Sequence, residues 1–133
     1  MNTLRITAGL PPMLEALVHK TIGACLAVHR ELGPGLAERA YSRACCIELE
    51  SREMSFEVEK PVSVKYRGTL LCQHRIDLFI DRQVVVEIKS VEQIHPVHVA
   101  QVVSYLRLTG TRVGLVVNFN VPVLKQGIRR VVL

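Results

Sequence analysis

Hydrophobic and polar positions alternate with two distinct periods along this chain. Between Met13 and Leu32, residues Leu14, Leu17, Val18, Ile22, Cys25, Leu26 and Leu32 recur at helical spacing. Gly33-Pro34-Gly35 stops that helix. A second helical pattern runs from Leu36 to Ser51, with Ala37, Ala40, Tyr41, Ala44, Cys45 and Leu49 facing inward. The period then falls to two. Val62-Ser63-Val64-Lys65-Tyr66 reads as a strand, Arg67-Gly68 as a turn, and Leu70–Ile80 and Val84–Lys89 as two further strands. Asp81-Arg82-Gln83 is short enough to join those two as a hairpin. Pro96 opens a helix that runs to Leu108 before Gly110. Val113–Asn118 is the next strand, and Ile128–Val132 reads as a final edge strand.

The expected order is α-α-β-β-β-α-β(-β). The helix between Lys89 and Val113 makes a right-handed crossover between parallel strands. The fold class is therefore α/β, with a mixed sheet flanked by helices. No repeat or linker divides the chain, so residues 1–133 form one domain, with 1–12 an N-terminal extension closed by Pro11-Pro12.

The pattern breaks where charge enters strands that are otherwise apolar. Asp77 interrupts Arg75-Ile76-Asp77-Leu78-Phe79-Ile80, and Glu87 and Lys89 interrupt Val84-Val85-Val86-Glu87-Ile88-Lys89. Fully buried strands normally read as continuous Val, Ile and Leu. Glu87 and Lys89 are two apart and share a face. Burying such charges is costly unless they pair or hold a metal. Register provides a test. With Arg82 at the centre of the hairpin, Asp77 lies opposite Glu87, whereas a plain two-residue turn at Asp81-Arg82 sets Asp77 opposite Val86. A shared site thus requires an odd-length loop or a bulge.

Composition sharpens this picture. At 49% hydrophobic and without Trp, the chain has an aliphatic core and is not disordered. No apolar run spans a membrane, and residues 1–12 lack a signal-peptide layout, so a cytoplasmic protein is expected. Cys25, Cys45, Cys46 and Cys72 form no CxxC pair and read as free thiols rather than zinc ligands. The net charge of +5 is unevenly distributed. Residues 1–59 carry 6 Lys/Arg against 8 Asp/Glu, and residues 60–133 carry 11 against 4. A basic half around an acidic centre suits a polyanion held on metal ions, although a generic solvated surface has the same charge.

Two strand carboxylates suit Mg²⁺ or Mn²⁺. Lys89 is placed either to orient a water and offset charge on the phosphate, or simply to bridge to Glu87. Gln101 and Tyr105 are spaced i,i+4 on the following helix, with His98 on the same face. They read equally well as phosphate contacts or as a polar helix edge. His95 is expected near the helix cap, with His98 supporting the site. Glu38, in the first turn of the second helix, is either a carboxylate favoured by the helix dipole or a further ligand at the edge of the site.

These segments together resemble the GxxExxY protein family, a branch of the PD-(D/E)XK nuclease superfamily. The motif stands as Gly35-Leu36-Ala37-Glu38-Arg39-Ala40-Tyr41. Arg75-Ile76-Asp77-Leu78, Val86-Glu87-Ile88-Lys89, Ala100-Gln101-Val102-Val103-Ser104-Tyr105-Leu106 and Gly114-Leu115-Val116-Val117-Asn118-Phe119 follow in order. The resemblance extends from about Met13 over nearly the whole chain and implies a restriction-endonuclease-like core. It implies that Asp77 and Glu87 bind Mg²⁺ or Mn²⁺ with the Ile88 carbonyl, and that Lys89 is the catalytic lysine. It matches Glu38 to the acidic residue of the first core helix, and Gln101 and Tyr105 to a Gln-x-x-x-Tyr element. Ile76 stands where the superfamily's proline would be.

The leading expectation is a metal-dependent nuclease acting on DNA. A non-catalytic nucleic-acid-binding or scaffolding module on the same fold is the alternative. A metal-dependent enzyme with another substrate, or an accessory subunit of a repair or defence complex, is a third. A homodimer or a partner protein could supply specificity.

Overall fold

The computed structural model describes residues 9–133, so most of the expected N-terminal extension lies outside the described residues. Helix α1 spans Pro12–Leu32 and α2 spans Glu38–Ser51. Strands β1 (Phe56–Tyr66), β2 (Thr69–Ile80) and β3 (Val84–Lys89) follow. Helix α3 (Pro96–Thr109) then leads to β4 (Val113–Asn118). A 3-10 turn at Leu124–Gly127 and β5 (Ile128–Val132) complete the order. The five strands lie side by side in chain order, antiparallel except for the parallel β3–β4 pair bridged by α3. The mixed α/β architecture expected from the sequence is the one observed.

Two apolar layers hold the sheet between its helices. On one face, Leu78, Ile80, Val84, Val86, Ile88, Leu115 and Val117 pack against Leu14, Val18, Cys25, Tyr41, Cys45 and Leu49 of α1 and α2. On the other, Ile76, Phe79, Val85 and Val116 pack against Val102, Tyr105 and Leu106 of α3. Strands β3 and β4 are covered on both sides, which explains their nearly unbroken Val and Ile. Each such side chain contributes about 1.5–3 kcal/mol by leaving water. Helix α3 approaches β4 closely because residue 114 is glycine: a Cβ there would meet the Val102 side chain at 2.6 Å.

Some expected boundaries and faces differ. Strand β1 begins at Phe56, six residues before the period-two run, because Lys60 and Pro61 interrupt the alternation without ending the pairing. Pro61 is tolerated because β1 is an edge strand. Ala37 and Ala40 are exposed, since α2 starts only at Glu38 and its apolar stripe begins at Tyr41. Leu32, at the end of α1, is 39% exposed. Cys25 and Cys45 are free and buried as expected, whereas Cys72 is free and exposed. Among the described residues, no helix is long and apolar enough to cross a membrane.

Candidate metal centre

The β2–β3 hairpin closes through two devices at once. Asp81 and Arg82 both have positive φ (48° and 55°), and the Gln83 N–H donates to the Ile80 carbonyl at 2.9 Å. That is a tight primed turn at the two residues where a plain turn would separate the carboxylates. Gln83 is an additional residue after it, so Ile80 pairs with Val84, Phe79 with Val85 and Leu78 with Val86. The bulge restores the register that sets Asp77 opposite Glu87.

Regular β2–β3 pairing ends at Leu78 and Val86, and the two carboxylates take over the backbone. Asp77 Oδ2 accepts from the Ile88 N–H at 2.7 Å, and Glu87 Oε2 accepts from the Asp77 N–H at 3.0 Å. Each acid thus caps the opposite strand. On the other side of β2 the pairing is irregular at the same level. Glu59 and Asp77 fall between the Val58–Leu78 and Lys60–Ile76 pairs, and Glu59 has φ of 50°. The side-chain alternation slips here as well. Ile76 packs towards α3, while Leu78 packs towards α1 and α2.

The electrostatics follow from this crowding. Burial, then the Asp77 charge, pushes Glu87 up to about 8, while the Asp77 N–H and Lys89 pull the other way. Burial also raises Asp77, opposed by the Ile88 N–H and Lys89. Glu38 adds repulsion to both. Two adjacent oxygen donors that resist ionising together are relieved by a divalent cation, and an all-oxygen set fits Mg²⁺ or Mn²⁺. Among the described residues, however, no three His, Cys, Asp or Glu side chains cluster as a ready-made metal cage. Asp77 and Glu87 form a pair, and Glu38 stands apart from it.

Glu38 is nonetheless aimed at the same place. Its Oε2 accepts from the Ser90 N–H at 3.4 Å, just beyond the end of β3. It lines a cleft of about 750 Å³ that also contains Asp77 and Ile88. The turn before it is fastened from within by Tyr41, whose hydroxyl donates to the Gly33 carbonyl at 2.5 Å and accepts from the Leu36 N–H at 3.1 Å. The Tyr41 ring stacks on Phe119 with centroids 4.5 Å apart. Ser90 Oγ adds a bond to the Leu36 carbonyl at 2.6 Å.

Lys89 makes no ion pair within 4 Å among the described residues, so it is not spent on Glu87. On α3, His95 is the N-cap and its N–H donates to His98 Nδ1 at 3.0 Å. Partial desolvation, then the charges of Lys89 and His95, hold His98 below the usual imidazole range. Burial, followed by the charges of Glu87 and Asp77, pushes Tyr105 up to about 12. The nearest polar partner of the Tyr105 hydroxyl is His74 Nδ1 at 3.4 Å. Gln101 lies beside Tyr105 in a groove between α3 and the β1–β2 hairpin, not in the cleft with Glu38.

A family model described as the PD-(D/E)XK nuclease superfamily matches residues 15–131. The chain belongs to the PD-(D/E)XK nuclease superfamily. No curated protein and no solved structure matches it significantly. The nuclease-like core therefore rests on the family match and on the observed sheet and helices.

Three polar residues around this candidate site escaped sequence reasoning. Asn118, 1% exposed, accepts from the Val91 N–H at 3.0 Å and donates to the Val91 carbonyl at 2.9 Å, fastening the loop after Lys89. Ser90 holds the turn before α2. His74 meets Tyr105. A polar residue ending the apolar run Val113–Val117 was the available signal for Asn118. Ser90 and His74 gave none, because their partners lie 54 and 31 residues away.

Proposed function

We propose that this chain is a divalent-metal-dependent nuclease that hydrolyses phosphodiester bonds of DNA, and that it belongs to the GxxExxY branch of its superfamily. The observation that carries the reading is the reciprocal Asp77–Glu87 clasp at the end of the β2–β3 ladder. Each acid commits one oxygen to the opposite strand and keeps the other for a ligand. Asp77 and Glu87 would hold Mg²⁺ or Mn²⁺ with the Ile88 carbonyl, and Glu38 would complete the shell from the cleft wall. Such an ion supplies Lewis-acid polarisation of the phosphate and lowers the pKa of water.

The protein's own groups account for the rest. Lys89, free of an ion pair, orients the attacking water and offsets charge developing on the phosphate. Gln101 and Tyr105 hold the substrate strand on the α3 side, and His98 supports the Lys89 end. The basic half of the chain, 11 Lys/Arg against 4 Asp/Glu over residues 60–133, attracts the polyanion.

Calorimetric titration with Mg²⁺ and Mn²⁺ tests the centre, with wild type beside Asp77→Ala and Glu87→Ala. Binding lost in both variants, together with loss of cleavage of single- and double-stranded, linear and circular DNA, is expected. Full cleavage by a folded Asp77→Ala protein refutes the assignment. A wild type that binds no divalent ion, even with a short DNA present, is instead the non-catalytic binding module.

A further inference from the structure

Gln101 and Tyr105 of α3 open onto a groove that is distinct from the Glu38 cleft. It lies between α3 and the outer part of the β1–β2 hairpin and has a volume of about 500 Å³. Val64, Ala100 and Leu108 give it apolar walls, the His74 and Tyr105 rings border it, and Arg107 stands at its rim. The two rings meet edge to face with centroids 6.0 Å apart. Leu108 is 43% exposed although most of α3's apolar surface is covered.

We infer that this groove receives one unstacked nucleobase of the substrate strand, so that the protein prefers unpaired to duplex nucleic acid. The inference rests on the nuclease reading above and deepens it. Three observations select this occupant. The volume of about 500 Å³ falls in the range of pockets that enclose a small ring system. Apolar walls with imidazole and phenol rings and one guanidinium are the surfaces on which bases stack sequence-independently, while the cation meets the phosphate. The groove also abuts the metal centre through Tyr105, which feels the charges of Asp77 and Glu87. A base seated there leaves its phosphate near the carboxylate clasp. A stacked base in a duplex cannot enter without being extruded.

The test is fluorescence anisotropy in EDTA, so that no strand is cut, with a short oligothymidylate and a blunt duplex of equal length. Wild type is compared with Ala100→Trp, which fills the groove from an exposed helix position, and with His74→Ala should the first variant misfold. The wild type should bind the single strand about 10-fold more tightly. Both variants should lose most of that preference while still binding Mn²⁺ in calorimetry. Equal affinity for the two forms, or a preference unchanged in a folded variant, overturns the groove assignment and leaves the nuclease reading standing. Failure to bind either form overturns the groove assignment, while the nuclease reading is decided by the calorimetry and cleavage assays above. Self-association in sedimentation velocity that Ala100→Trp abolishes, without any strand preference, gives the groove to a second copy and overturns the inference.

Discussion

The two halves of β2 have opposite environments. From Leu78 to Ile80 the strand is buried and paired on both sides, with β1 and with β3. From Thr69 to Arg75 it is exposed and pairs with β1 alone, forming a two-stranded ribbon beyond the sheet. Asp77 sits at the boundary. Deeper in the sheet, a carboxylate opposite another carboxylate would face a prohibitive desolvation cost. Farther along the ribbon, it would be mobile and solvated. At the boundary the backbone has N–H groups that the ladder no longer uses, and the two acids accept them. The rigid half fixes the acids in place, and the open half leaves room for a substrate.

This contrast can be broken by matched substitutions. Leu78→Ala removes a 1%-exposed side chain from the paired half and should cost about 2–5 kcal/mol in urea unfolding. Leu71→Ala, at 61% exposure on the ribbon, should change stability by no more than about 0.5 kcal/mol. Comparable losses at the two positions would show that the ribbon is covered in solution and the contrast false.

The boundary itself should respond to pH. Glu87 is lifted to about 8 in the fold from its usual 4.5. Between those values the folded protein holds a proton that the unfolded chain has released. The metal-free protein should therefore be most stable below pH 4.5 with respect to this group. It should lose that stability as pH rises through 8, by on the order of a few kcal/mol. Glu87→Gln should flatten most of the slope, and Mg²⁺ should restore the melting temperature most strongly at the alkaline end. A wild-type stability that rises from pH 5 to 8 without metal would contradict the buried acid pair.

A smaller effect tests the cleft wall. Tyr41→Phe keeps the stack on Phe119 but loses the hydroxyl bonds to Gly33 and Leu36, and should cost about 1–2 kcal/mol. If Glu38 is positioned through that turn, divalent affinity should fall as well. Unchanged affinity would separate Glu38 from the centre.

Element type and order were legible in the sequence because period and punctuation agreed over most of the chain. Asp77 and Glu87 stood out because each interrupts a run that burial would otherwise make apolar. The bulge requirement followed from counting residues between them. The start of β1 was hidden because half of an edge strand faces water and Lys60-Pro61 looks like a boundary. The hydroxyl of Tyr41 was hidden behind its ring, since a stripe of inward residues says nothing about what a phenol tip meets. The separation of Gln101 from the Glu38 cleft depends on how α3 lies across the sheet, which Gly114 sets and helical spacing alone does not.

The turn at Asp81-Arg82 and the additional Gln83 have a consequence for how this protein can change. The acid pair depends on which loop residues enter the ladder: Gln83 must stay unpaired for Asp77 and Glu87 to stay in step. Were Gln83 drawn into the ladder opposite Ile80, with the same turn before it, Asp77 would move from opposite Glu87 to opposite Val86. Deleting Gln83 outright, by contrast, leaves a plain two-residue turn with Ile80 still opposite Val84 and the acids still in step. A solvent-exposed loop with no chemistry of its own thereby decides whether two buried acids meet.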